Sequence, residues 1–127
     1  MNLTVTLAGV ALAGLVLALQ VTGVSAEDDQ KRYSVRGLGT TICSKFLESR
    51  NLNVAGSEQY AHWLQGFLTA YNYLQPQTYE IAPGIKTNGL LRYMDLYCGK
   101  NPTNRVVDGA VTYVAQVYAK RKVLGGQ

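Results

Sequence analysis

No Asp, Glu, Lys, Arg or His occurs before Glu27 in this 127-residue chain. Within that uncharged lead, Leu7 to Leu19 consists only of Ala, Leu, Val and Gly, and Val24-Ser25-Ala26 closes it with small residues. This is the order of a secretory signal peptide, with cleavage expected after Ala26. The apolar core of about 13 residues is shorter than the roughly 20 that a membrane-spanning helix needs, which argues against a retained anchor. The one departure is an n-region without Lys or Arg. The rest of the chain, residues 27–127, is expected to be periplasmic or secreted, with no integral membrane span after cleavage. It is long enough for one domain and too short for two.

The compartment decides the reading of the cysteines. Cys43 and Cys98 are the only two, and both lie after the lead. In an oxidising compartment such a pair becomes a disulfide. The long separation is unlike the C-x-x-C of redox catalysts. Closing so long a loop stabilises a fold by roughly 4 kcal/mol in the chain-entropy account. That is a large part of the ~5–15 kcal/mol that a domain has in total.

Composition excludes other classes. Hydrophobic residues make up 47% and charged residues 16% of the chain, too little charge for an acidic disordered tail or a charged coiled coil. Residues 27–40 read as a flexible N-terminal arm. Residues 41–122 then carry helical periodicity, and 123–127 read as a frayed tail.

The first helix is expected from Ile42 to about Ser49, capped by Thr40 or Thr41, with Ile42, Cys43, Phe46 and Leu47 inward. Asn51 to Gly56 reads as a connector. Ser57 is a suitable N-cap for a helix from Glu58 to about Leu74. At 100° per residue, Tyr60, Trp63, Leu64, Phe67, Leu68, Tyr71 and Leu74 share its apolar stripe. Glu58, His62, Gln65, Thr69, Asn72 and Tyr73 fall opposite. Gly66 inside this helix suggests a close neighbour.

Pro76 ends the second helix, and a loop follows through Pro83-Gly84, with a short extended stretch as the alternative around Tyr79, Ile81 and Ile85. Thr87 or Asn88 caps a third helix to Cys98, stopped by Gly99. Asn101-Pro102 reads as the start of a fourth helix to about Lys122. A strand is the alternative around Val111 and Tyr113. The expected fold class is therefore all-α: a bundle of about four helices stapled by one disulfide from the first helix to the end of the third.

Catalytic chemistry is hard to assemble from these residues. His62 is the only His, so zinc sites with two or three His ligands are excluded. Glu58 and His62 stand four apart on one helix face, where an exposed i,i+4 pair is the ordinary reading. No phosphate-binding glycine motif occurs. The sequence therefore leads us to expect no enzyme, no cofactor and no metal. The basic residues are scattered apart from Lys120-Arg121-Lys122, which reads as the cationic end of the last helix. Three charges are few for a membrane-surface patch. Nucleic-acid binding is not expected without a larger basic face. Nine Tyr is a high number for this length. Tyr60, Tyr71, Tyr93, Tyr97 and Tyr113 fall on core faces, whereas Tyr73 and Tyr79 fall outside, where aromatic residues favour interfaces.

Three segments together carry a family resemblance. They are Thr41-Ile42-Cys43-x-x-Phe46-Leu47, then Trp63-Leu64-x-Gly66-Phe67 continuing to Asn72, then Leu91-x-x-x-x-x-Tyr97-Cys98-x-x-Asn101-Pro102 followed by Val107-x-x-Ala110. Over residues 41–117 the chain resembles the HdeA-like periplasmic acid-stress chaperones, and it is similar also to the Tai-type immunity proteins. The chaperone resemblance implies a helical domain with one disulfide at Cys43 and Cys98. It also implies a homodimer at neutral pH that loosens in acid and exposes apolar surface to unfolded client proteins. Trp63, Phe67 and Leu68, with Tyr73 and Tyr79, would be the client- or partner-binding residues. The immunity-protein resemblance implies one specific protein partner, and an accessory subunit of an envelope complex is the further alternative. Charge permits the acid mechanism. The side chains sum to +4 at pH 7, and protonating all 8 carboxylates and the single His leaves thirteen positive charges that repel one another.

Overall fold

The computed structural model describes residues 32–52 and 54–125, and the expected signal peptide lies outside them. A 3-10 turn at Gly37–Thr40 leads into helix α1 (Cys43–Leu52) and helix α2 (Val54–Leu74). Strand β1 (Thr78–Glu80), helix α3 (Thr87–Lys100), helix α4 (Val106–Val117), a second 3-10 turn at Tyr118–Lys120 and strand β2 (Lys122–Val123) follow. The described residues from Ser34 onward form one unit. The fold is all-α with a small antiparallel ribbon, β1–β2, added at one end.

The core is formed by part of the faces that the helical periodicity assigned inward. Cys43 and Phe46 of α1 are fully buried, as are Leu64 of α2, Met94 and Cys98 of α3, and Val106 of α4, with Val114 of α4 buried beside them. The Phe46 and Tyr60 rings meet edge to face with centroids 5.0 Å apart. α3 is the central element, packed against α1, α2 and α4. The expected disulfide joins Cys43 to Cys98, with Cα atoms 4.8 Å apart, and so ties the start of α1 to the end of α3. The tilted Tyr93 and Tyr113 rings, 4.8 Å apart, add a contact between α3 and α4.

Several boundaries differ from the sequence expectation, each for a local reason. Asn51–Gly56 is not a connector, because α1 runs through Leu52 and α2 begins at Val54. Ser57 accordingly sits buried inside α2 and does not cap it. Asn101-Pro102 does not start α4. This segment instead serves two helix ends at once. Asn101 donates its backbone N–H (3.0 Å) and its Nδ2 (2.9 Å) to the Tyr97 carbonyl at the end of α3. The Pro102 and Asn104 carbonyls accept the Ser44 (2.9 Å) and Cys43 (2.7 Å) N–H groups at the start of α1. Those are amides that lack partners within their own helix. Neither Thr40 nor Thr41 is needed as a side-chain cap for α1, and the Thr40 hydroxyl donates to the Gly37 carbonyl. α4 starts at Val106, where Asp108 accepts the Arg105 backbone N–H at 2.8 Å.

Lys86, with no capping side chain, precedes α3, and Gly99 lies inside that helix, which continues to Lys100. Ile42 and Leu74, assigned inward from the sequence, are exposed. Of the arm expected over residues 27–40, residues 27–31 lie outside the described residues, and Gly37–Thr40 forms a 3-10 turn rather than a loose segment. There Gly39 lies against Trp63, and a Cβ would approach the indole Cη2 to 2.6 Å. Gly66 has no neighbour within 4 Å of where a Cβ would sit, so no close approach requires it. Gly109 is the helical glycine that does: a Cβ there would come within 2.6 Å of Met94 Cε.

Candidate functional site: a tyrosine and cation surface at the β ribbon

The site begins where α2 stops. Proline cannot supply an amide to prolong a helix, and Pro76 follows the last turn directly. Gln77 takes the left-handed conformation at φ 58°, uncommon for a residue with a side chain, and the chain reverses into β1. The reversal is pinned at three points. The Thr78 N–H donates to the Gln75 carbonyl at 3.2 Å, and the Leu124 N–H donates to the Gln77 carbonyl at 3.1 Å. The Ile81 N–H donates to Asn72 Oδ1 at 2.7 Å. Asn72 was placed on the polar face of its helix; there it anchors the ribbon to α2.

Side chains alternate along a strand, so burial of Thr78 sends Tyr79 outward. Antiparallel pairing sets Thr78 opposite Val123 and Glu80 opposite Lys122. Val123 is therefore not part of a frayed tail. Pairing also removes Lys120-Arg121-Lys122 from the helix terminus where the sequence placed it. α4 ends at Val117, and the three cations run from a 3-10 turn into β2.

Two of these cations lie over tyrosine rings. Arg121 Cζ is 4.0 Å from the centre of the Tyr118 ring, and Lys122 Nζ is 5.1 Å from the centre of the Tyr79 ring. Each such contact contributes about 0.5–1 kcal/mol at an exposed position. Arg121 Nη1 also donates to the Tyr118 carbonyl at 3.1 Å. The Tyr118 hydroxyl accepts from Gln75 Nε2 at 3.0 Å, joining the second 3-10 turn to the end of α2. The most exposed large apolar residues gather in this part of the chain. Tyr73 is 88% exposed, Leu74 72%, Tyr79 59% and Leu124 58%. Leu96 on α3, at 62%, is the exception elsewhere.

The five candidate binding residues are thus divided. Tyr73 and Tyr79 are exposed at or beside the ribbon. Trp63, Phe67 and Leu68 are half-buried against the core on α2. Trp63 and Phe67 stack with centroids 5.7 Å apart, and Phe67 meets Tyr71 at 5.4 Å. Trp63 Nε1 donates to the Arg36 carbonyl at 3.0 Å, beside the turn that holds Gly39 against the indole. Tyr118, Arg121, Lys122 and Leu124 were missed as members of the exposed surface. The basic run signalled cations, but its strand setting depends on pairing with a segment over forty residues earlier.

The other chemical candidates stay apart. Glu58 and His62 are exposed in the wall of a broad groove of about 550 Å³, which also contains Arg50 and Asn88. A smaller groove of about 190 Å³ lies between α2 and the segment after β1, lined by Asn72, Glu80 and Lys86 among others. Among the described residues, no group of three or more His, Cys, Asp or Glu could hold a metal ion. No helix among them is long and apolar enough to cross a membrane. No protein-family model matches the chain, and searches of curated proteins and of solved structures find no match to it.

Proposed function

We propose that this is an exported protein-binding module that holds one specific partner at neutral pH, as the immunity-protein resemblance implies. The observation that carries this reading is the exposure of Tyr73, Leu74, Tyr79 and Leu124 in the folded protein. Apolar surface that needs no unfolding to be reached suits a fixed partner, and tyrosine beside arginine is a favoured composition for protein interfaces. The disulfide suits the periplasm or the exterior of the cell. No catalytic role is assigned. Affinity capture at neutral pH with the native protein and with a Tyr73→Ser/Tyr79→Ser variant tests the reading. A discrete partner held by the first and lost by the second is expected. Equal capture by both contradicts it.

A second reading, the acid-stress chaperone, has its own support in the row Trp63–Phe67–Tyr71. These aromatic residues are half-buried rather than fully buried, and the short Gly37–Thr40 turn lies against Trp63. A small opening driven by acid charge repulsion would expose them to unfolded clients. Protection of a denatured client from aggregation at about pH 3 but not at pH 7 would support it. A protein that protects nothing at either pH would dispose of it.

A further inference from the structure

We infer that the ribbon surface takes an acidic protein segment, whose carboxylates meet Lys120, Arg121 and Lys122 while its apolar side chains lie on Tyr79 and Leu124. This rests on the protein-binding reading and specifies the partner's chemistry. Charge is the first argument. Residues 34–125 hold only five carboxylates, Glu48, Glu58, Glu80, Asp95 and Asp108. Three of these are already paired, with Lys45, Arg50 and Arg105. Among the described residues, none of Lys120, Arg121 and Lys122 forms an ion pair. Glu80 is opposite Lys122 in register, yet Lys122 turns onto the Tyr79 ring instead.

Geometry is the second argument. The Arg121 guanidinium lies against Tyr118 and the Lys122 ammonium near Tyr79, so each cation is held beside an exposed apolar face. Pre-positioning lowers the entropy lost when a carboxylate docks. A partner offering carboxylates interleaved with Leu or aromatic side chains meets both features, and opposite potentials would steer its approach. An anionic bilayer offers the same charge, but juxtamembrane lipid recognition uses clusters of about 4–8 cations, and this run has three. The shape of the contact also favours a protein: a two-stranded ribbon presents alternating side chains at spacings that an extended segment can match.

Amide chemical-shift mapping of the disulfide-bonded protein tests the inference with two short peptides. Both carry Leu and Tyr at the same positions, interleaved with Glu in one and with Lys in the other. The Glu peptide is expected to shift the amides of Thr78–Glu80 and Tyr118–Leu124, and the Lys peptide to leave them in place. A Lys120→Glu/Lys122→Glu variant should weaken the Glu peptide by about tenfold or more. Lys122→Gln, which leaves the other cations in place, should weaken it less. Equal shifts from both peptides overturn acid selectivity but leave the ribbon as a protein-binding surface. Shifts centred on the groove of Glu58 and His62 overturn both readings. Binding to phosphatidylglycerol vesicles without any response to the Glu peptide replaces the acidic segment by a lipid surface and overturns the inference.

Discussion

Arg50 and Asp95 face each other in a two-pronged ion pair, with Nε to Oδ1 and Nη2 to Oδ2 both at 2.8 Å. The pair joins α1 to α3, the same two helices that the Cys43–Cys98 disulfide joins. It is partly shielded, with side-chain exposures of 26% and 34%. The Asp95 carboxylate raises the Arg50 pKa through its hydrogen bonds, against a lowering from burial, so the guanidinium stays charged at any ordinary pH. Asp95→Asn is expected to lower stability by about 1 kcal/mol, the upper range for a partly exposed pair of good geometry. Urea unfolding of the oxidised protein measures this, and a double-mutant cycle with Arg50→Met isolates the coupling. A coupling near zero would reduce the pair to an incidental contact.

Two glycines predict opposite outcomes for the same substitution. Gly39→Ala would press a methyl group into the Trp63 ring, with Cη2 at 2.6 Å and Cε2 at 2.9 Å from it. Overpacking of this kind costs about 1–3 kcal/mol. Gly66→Ala meets nothing within 4 Å and stands inside α2. It should raise stability by about 1 kcal/mol through helix propensity alone. Thermal unfolding read by Trp63 fluorescence checks both, and a stabilised Gly39→Ala would mean that the turn does not lie on the indole.

Alkaline pH tests the packing between α3 and α4. Burial raises the pKa of Tyr93 above 10.0, with smaller contributions from Tyr97 and Tyr113, and burial raises that of Tyr113 as well. The folded state then holds these phenol protons more tightly than the unfolded chain does. The stabilisation is complete below about pH 10 and is lost as pH rises through the folded values. Unfolding midpoints should therefore fall above pH 10, while phenolate absorbance shows some tyrosines titrating late. A Tyr93→Phe/Tyr113→Phe variant should flatten that decline. An unchanged slope in the variant would assign the effect to other groups.

The helices and the bridge were legible in the sequence because their signals are local or compartmental. The Leu90, Leu91, Met94 and Cys98 face of α3 follows a 3.6-residue period, and all four are buried. The expectation of export paired the cysteines without any knowledge of geometry, and the Cys43–Cys98 bridge is present. What was not legible depends on partners distant in sequence. Asn101-Pro102 carries the grammar of a helix start, but the α1 amides recruit its carbonyls for a turn. Lys120-Arg121-Lys122 carries the grammar of a helix end, but pairing of Val123 with Thr78 draws it into a ribbon. Tyr73 and Tyr79 were identified as outward from periodicity and loop position. The fourth helix is expected to run to about Lys122, but it ends at Val117, and Tyr118 lies exposed in the 3-10 turn that follows.

Photo-crosslinking in the producing cell shows whether the ribbon surface holds a protein partner. A photoreactive residue would replace Tyr79 in one variant and Leu96 in another. Both positions are exposed, but only the first lies at the ribbon. One discrete crosslinked product is expected from position 79 at neutral pH and none from position 96. No product from position 79, or the same product from both, would contradict a partner held at the ribbon.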